Sequence, residues 1–302
     1  MTVQRPGRPR GVDHVVHAVR DLDAAGDFYA RLGFSVGARN RHPWGTHNRI
    51  VQFQNSFVEL LTVAEPQKIV PFALRRYSFG AFNRNFLEKS EGLSMLVLEG
   101  RNPKGDADEF RAAGIGDFET FHFEREGRGP DGTPVRVAFT LSFAADPKAP
   151  ETGFFTCRHH HPENFWNPAF QNHRNGAHGI AGVVLVAENP SDHHIFLSAF
   201  VGERELQSSS AGITVKTPHG EIQVMDEAAF RAHFGTESLL GAAPSASGGG
   251  ARLAALRFAV RDPGAAEAVL RASGIPAVAH MGRLVVGPNA GMGATLAFEQ
   301  HR

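Results

Sequence analysis

The chain repeats itself. Residues 19–34, VRDLDAAGDFYARLGF, align without a gap on residues 260–275, VRDPGAAEAVLRASGI, sharing Val-Arg-Asp, an Ala-Ala pair and the glycine after the helical pattern. Such a repeat restricts the fold to units that pair, because one unit of this size cannot bury its own apolar face. Around the first copy, residues 11–19 are a short valine-rich run that reads as a strand. Residues 21–33 start on an Asp, carry apolar residues at helical spacing and stop at a Gly. Residues 34–41, 46–54 and 55–63 then read as three strands, the first two separated by the turn signal Pro43-Trp44-Gly45. The last copy supplies a first strand at 253–260 and later strands at 283–288 and 294–300, and fainter copies begin within 92–115 and 179–202. The expectation is an α+β fold of four βαβββ modules paired into two domains, with curved mixed sheets, helices on the outer face and a concave inner face for a ligand. Residues 1–172 and 173–302 are the expected domains, with a Gly/Ser linker at about 236–251 inside the second.

Composition narrows the partners. Lys+Arg and Asp+Glu are both 31, so there is no basic field for nucleic acid or anionic lipid. No apolar run is long enough to span a bilayer, the start lacks a signal-type apolar stretch, and Cys157 is the only cysteine, which rules out an intramolecular disulfide. A cytoplasmic protein, monomer or homodimer, with a small molecule as its partner is expected. The 24 Phe against 2 Tyr point to an apolar pocket, and the 16 His raise the question of a metal.

The runs Asp13-His14-Val15-Val16, Val19-Arg20-Asp21-Leu22 and Phe28-Tyr29-x-x-Leu32-Gly33-Phe34 resemble the opening module of the vicinal oxygen chelate superfamily, the group of glyoxalases, bleomycin resistance proteins and extradiol dioxygenases. The resemblance is tight over 11–63, good over 252–300 and loose between them, and the stretch 154–168 resembles a feature of a longer glyoxalase-like subfamily. It implies two glyoxalase-like domains and a divalent metal in the cupped sheet, held by residues of the first and last strands of paired modules. The superfamily also contains metal-free binders, so the fold does not choose a reaction.

Carried over residue by residue, the resemblance places His14 and Glu59 at the ligand positions of the first module, with Glu59 also a candidate catalytic carboxylate. Imidazole and carboxylate together suit Fe, Mn, Ni or Zn. Strand alternation puts Val12, His14 and Val16 on one face and Asp13, Val15, His17 and Val19 on the other. The corresponding positions of the other modules, Ser94 or Met95, Gly182 or Val183, and Ala254 or Ala255, offer no strong ligand. His160 or His161 is the expected completing ligand: with Thr156 in the place of Glu59, Arg158 and His160 face the pocket and His159 does not, and a slip of one residue reverses this. Glu299 is a secondary candidate. Arg158 or His47 would balance substrate charge or move a proton, and Trp44, Trp166 and Asn164 would line the pocket. The bland readings are that Glu59 only pairs with Arg49 or Arg158, that 159–161 is a solvated loop, that Cys157 is a small core residue and that His193-His194 is solvated.

The function expected from these residues is metal-dependent lyase or isomerase chemistry on a small oxygenated molecule. The alternatives are a metal-free binding protein on the same fold and an extradiol-type dioxygenase, with the second pair of modules serving as a structural partner.

Overall fold

A computed structural model describes residues 8–128, 133–238 and 250–301, so most of the expected linker lies outside the described residues. The first module runs β1 (Val12–Ala18), α1 (Leu22–Arg31), β2 (Asn40–Arg41), β3 (Thr46–Gln52) and β4 (Phe57–Val63), and α2 (Phe79–Lys89) follows it. The second runs β5 (Gly92–Glu99), α3 (Pro103–Ala112), β6 (Phe121–Arg128), β7 (Pro134–Ala144) and β8 (Gly153–His159), followed by the short α4 (Pro162–Phe165). The third has β9 (Ala177–Val186), α5 (His194–Val201), β10 (Gln207–Ser209), β11 (Gly212–Lys216), β12 (Glu221–Met225) and then α6 (Glu227–Phe234). The fourth has β13 (Arg252–Val260), α7 (Pro263–Ala272), β14 (Val278–His280), β15 (Arg283–Val286) and β16 (Thr295–Gln300).

Two eight-stranded sheets result, with the orders β2-β3-β4-β1-β5-β8-β7-β6 and β10-β11-β12-β9-β13-β16-β15-β14. In each, two four-stranded modules join through their first strands, antiparallel to one another, while each first strand is parallel to the last strand of its own module. The repeated segment explains α1 and α7. Asp21 caps α1 by accepting from the amides of Asp23 and Ala24, and Asp262 caps α7 ahead of Pro263 at its first turn. Gly33 ends the first copy at φ 97°, where a Cβ would come within 2.9 Å of Val269 on α7. The glycine is therefore needed both for its left-handed backbone and for the close approach of the two helices.

The helix-bearing faces of the two sheets share one hydrophobic core, which includes Tyr29 of α1, Phe110 of α3, Phe200 of α5 and Leu270 of α7. Phe34 packs 4.8 Å from Phe258 and 6.0 Å from Phe298 across it. His17 faces this core, bonded to the Tyr29 hydroxyl at 2.8 Å and to the carbonyl of Met292 at 2.9 Å. Each sheet keeps a separate cluster on its concave face. No helix among the described residues is long and apolar enough to cross a membrane.

Three details differ from the sequence reading. The run 34–41 forms only the two-residue β2, although Gly37 before it also bonds the carbonyl of Ile50 on β3. The helices α2 and α6 follow β4 and β12, where no element was expected, capped by Ser78 and Asp226. His193 is buried rather than solvated, because Asp146 pairs with its Nδ1 at 2.7 Å.

Candidate active site

The concave face of the first sheet gathers its polar side chains around an irregularity in β1. Val12 pairs with Leu98 and His14 with Val97, so Asp13 is an extra residue in the ladder. This bulge turns Asp13 and His14 to the same side, where strict alternation separates them. It also explains why Val12 and Val15 both enter the shared core while Val16 faces the concave side. Asp13 then bridges two histidines, meeting His14 Nδ1 at 2.5 Å and His159 Nε2 at 3.0 Å. Burial alone would raise the Asp13 pKa, but His159 and His14 outweigh it and hold the carboxyl at about 2. An ionised Asp13 only accepts, so both imidazoles donate to it. The nitrogen of His14 left unengaged is Nε2, 3.7 Å from Glu59 Oε2, and in the neutral ring it carries the lone pair. Its ring is fixed by stacking on Phe57, at 4.2 Å between centroids and 15° between planes.

Glu59 is oriented from the neighbouring strand. Asn48 Nδ2 donates to Glu59 Oε1 at 2.6 Å and lies 3.3 Å from His42 Nε2, and His42 Nδ1 meets Thr46 Oγ1 at 2.8 Å. Since the amide nitrogen can only donate, His42 accepts through Nε2 and donates through Nδ1. Burial, reinforced by Arg125 and His47, lowers the His42 pKa to about 3, so the ring is neutral. It stacks on Trp44 at 4.5 Å and 11°. Burial raises the Glu59 pKa against the pull of His14, Asn48 and Arg125.

Above these groups is an open cavity walled by Phe57, Phe79, Phe123, Phe139 and Phe155 among others. Cys157 is part of the wall. Its pKa is raised well above the ordinary value by burial and by the carboxylates Asp13 and Glu59, so it is a thiol at neutral pH. Asp13, Cys157 and His159 carry metal-type donor atoms within 4.8 Å of one another. Asp13 already accepts from two imidazoles, which makes it a support for His14.

The structure brings His14, Glu59 and Trp44 together at this cavity. It does not bring His160, His161, Arg158 or His47 there. In β8 the register is the one-residue slip: Phe155, Cys157 and His159 face the concave side, while Thr156 bonds Asp106 at 3.1 Å under α3. Arg158 is accordingly exposed, and His160 turns outward to Thr140 Oγ1 at 2.8 Å. His161 lies 3.5 Å from Glu163 beyond the strand end. His47 alternates away from Asn48 and sits 3.4 Å from both Arg39 and Glu65. Trp166 stacks behind the cavity on His159 at 5.5 Å. Asn164 lines a wider cleft beside it. Sequence reasoning missed Asp13, His42, Asn48 and Arg125, and reached His159 only through the one-residue slip. His42 and Asn48 had a visible signal, since they flank Trp44 in a polar cluster; the others depend on the bulge and the register.

Among the described residues, the concave face of the second sheet carries a charged cluster in place of the His14/Glu59 pair. Arg257 of β13 is buried on its concave side, where Nη2 meets Glu299 at 2.5 Å and Nη1 meets Glu221 at 2.5 Å and Gln223 at 2.8 Å. Arg283 also holds Glu299, at 2.6 Å. A Cβ on Gly182 would come within 2.9 Å of Arg257 Nη1, so the missing side chain makes room for the guanidinium. Glu299 is thus a counter-ion: burial opposes its charge, but Arg257 and Arg283 lower its pKa. Phe230 and Phe234 of α6 pack into the cluster beside it.

Paired βαβββ modules in curved mixed sheets, with a histidine of the first strand and a glutamate of the fourth converging on one concave face, define a vicinal oxygen chelate fold. Within that class the chain belongs to the glyoxalase-like domain family, whose model matches residues 12–201. Solved structures agree at the level of the fold. A hypothetical protein from Staphylococcus aureus is 12% identical with a TM-score of 0.64, over 97% of this chain and 100% of that one. A variant of 4-hydroxymandelate synthase from Streptomyces coelicolor is 10% identical with a TM-score of 0.53, over 97% and 92%. A fusion of a xylose isomerase-like barrel with a 4-hydroxyphenylpyruvate dioxygenase matches at 12% and 0.53, over 98% of this chain and 49% of that one. Among curated proteins none matches.

Proposed function

We propose that the protein is a metal-dependent enzyme of lyase or isomerase type, acting on a small oxygenated molecule in the cavity of the first sheet. The observation that carries this reading is the convergence of His14 Nε2 and Glu59 Oε2 at 3.7 Å, with the far side of each already held, by Asp13 and by Asn48. That donor set fits a divalent ion: a lone pair and a carboxylate are available, and each has the outer partner that orients a metal ligand. A buried carboxylate with its pKa raised by desolvation also favours a nearby cation. The bound ion would supply Lewis-acid polarisation of the substrate's oxygens. The protein's own part is to fix the His14 tautomer through Asp13, orient Glu59 through Asn48, exclude water with the phenylalanine walls and offer Glu59 as a carboxyl able to exchange a proton nearer neutrality.

One observation favours the metal-free alternative. The facing module offers the thioether of Met95 and the ring of Phe155 on the concave side, so the protein supplies half of the fold's ligand positions. The dioxygenase alternative needs a second free imidazole, and His159 Nε2 is engaged by Asp13. Metal analysis of untagged protein, prepared without chelator and again after reconstitution with Fe, Mn, Ni and Zn, tests the proposal. About one equivalent, lost in Glu59→Gln, supports it; a trace under all conditions leaves the binding protein.

A further inference from the structure

The edge strand β6 presents Phe121, Phe123 and Arg125 in alternation, and the first two pack into the aromatic cluster of the concave face. Arg125 continues that apolar stripe. It lines the His14/Glu59 cavity and also the wider cleft next to it, which holds Arg39, Asn40 and Gln52. Among the described residues it makes one hydrogen bond, a long one of 3.4 Å to the carbonyl of Glu126. Among the described residues no carboxylate lies within 4.0 Å of it, whereas Arg257, the mostly buried guanidinium of the other concave face, has two. Desolvation already lowers the Arg125 pKa, with Glu59 the sole opposing influence. A partly buried cation without a carboxylate in contact is costly and is stabilised by an anion that reaches it.

We propose that Arg125 is the anion anchor of this cavity and that its ligand is a small apolar or aromatic monocarboxylate, with the acid group on the guanidinium at the mouth and the apolar body among the phenylalanines. The shape of the donor matches: a guanidinium fork binds one planar carboxylate through two parallel hydrogen bonds. The charge matches as well. One guanidinium balances one negative charge, and a dianionic phosphate ester would face the buried carboxylates of Asp13 and Glu59 with half its charge unmet. The inference rests on the reading of this cavity as a small-molecule site, and it holds with or without a metal.

The two tryptophans of the chain are the reporters, since Trp44 lines the cavity and Trp166 packs beside it. Quenching of their fluorescence would be titrated with ω-phenyl carboxylates of two to six carbons and with the matching neutral amides, using untreated and chelator-treated protein. Each acid is expected to bind about tenfold or more tightly than its amide. Arg125→Gln should reduce that preference to within about twofold and leave amide binding in place, and Arg125→Lys should keep part of it. Acid and amide binding alike would overturn the anchor and leave the cavity reading intact. A preference that survives in Arg125→Gln would do the same, all the more if the variant instead self-associates, because an inward charge on an edge strand can serve only to block sheet pairing. If no acid or amide binds at all, the cavity reading falls together with the anchor. A preference that disappears on chelation would assign the acid to the metal and also refute the role of Arg125.

Discussion

Replacing Asp13 by asparagine separates the support of the site from its chemistry. The wild-type carboxyl is held at about 2 against an ordinary 3.8, which is worth roughly 2–3 kcal/mol of folding free energy at neutral pH. The group is fully buried, so solvent does not screen this contribution away. An amide has one acceptor oxygen where the carboxylate has two, and its nitrogen must donate. Either one imidazole loses its partner, or His14 changes tautomer, accepts through Nδ1 and carries its proton on Nε2. The second outcome is the less costly one, and it removes the lone pair that faces Glu59. Stability lost at pH 7 should therefore be about 2–3 kcal/mol, with metal affinity down by about 10–100-fold. Urea unfolding of chelator-treated protein measures the first quantity. The sign of the pH effect follows from the lowered pKa: the contribution of Asp13 is fully present above 3.8 and disappears as pH falls through about 2, so the two proteins should converge over that interval. A gap that is absent at pH 7, or that stays constant down to pH 2, would refute the bridging role.

Glu59→Gln should abolish metal uptake and reduce turnover by about a hundredfold or more, yet leave the fold at least as stable; because the folded pKa is raised, wild-type stability is lost as pH rises through it, so melting scans from pH 5 to 8 should show the variant gaining on the wild type. Arg257→Ala leaves Glu299 with Arg283 alone and Glu221 with Lys216 alone, and should cost about 1–3 kcal/mol in chemical unfolding. Cys157 should resist iodoacetamide at pH 8 in folded protein and take one equivalent in urea, as mass spectrometry would show; ready labelling of the native state would contradict a buried thiol.

The repeated helix was legible because its cues are local: Asp21 and Asp262 cap, Gly33 and Gly274 stop, and both copies keep an apolar face. His14 and Glu59 were legible through a motif. The remainder of the site depends on register, which is a property of the neighbouring strand. One extra residue at Asp13 moves Val12 and Asp13 to the faces opposite those assigned by alternation, and a slip of one residue in β8 exchanges His160 for His159. Arg125 and Arg257 give no local sign that they turn inward, since an arginine in an alternating strand reads equally well as a solvated position. Helices α2 and α6 lie outside the repeated unit, so nothing in the first copy announces the second.

The guanidinium of Arg257 gives the second sheet a cation that cannot dissociate. If the first sheet takes an ion from solution, as proposed, the second needs none, because arginines of the chain itself neutralise its carboxylates. A titration with metal or ligand should therefore reach its plateau at one equivalent per chain, with chelators and salts altering one half of the molecule and sparing the other.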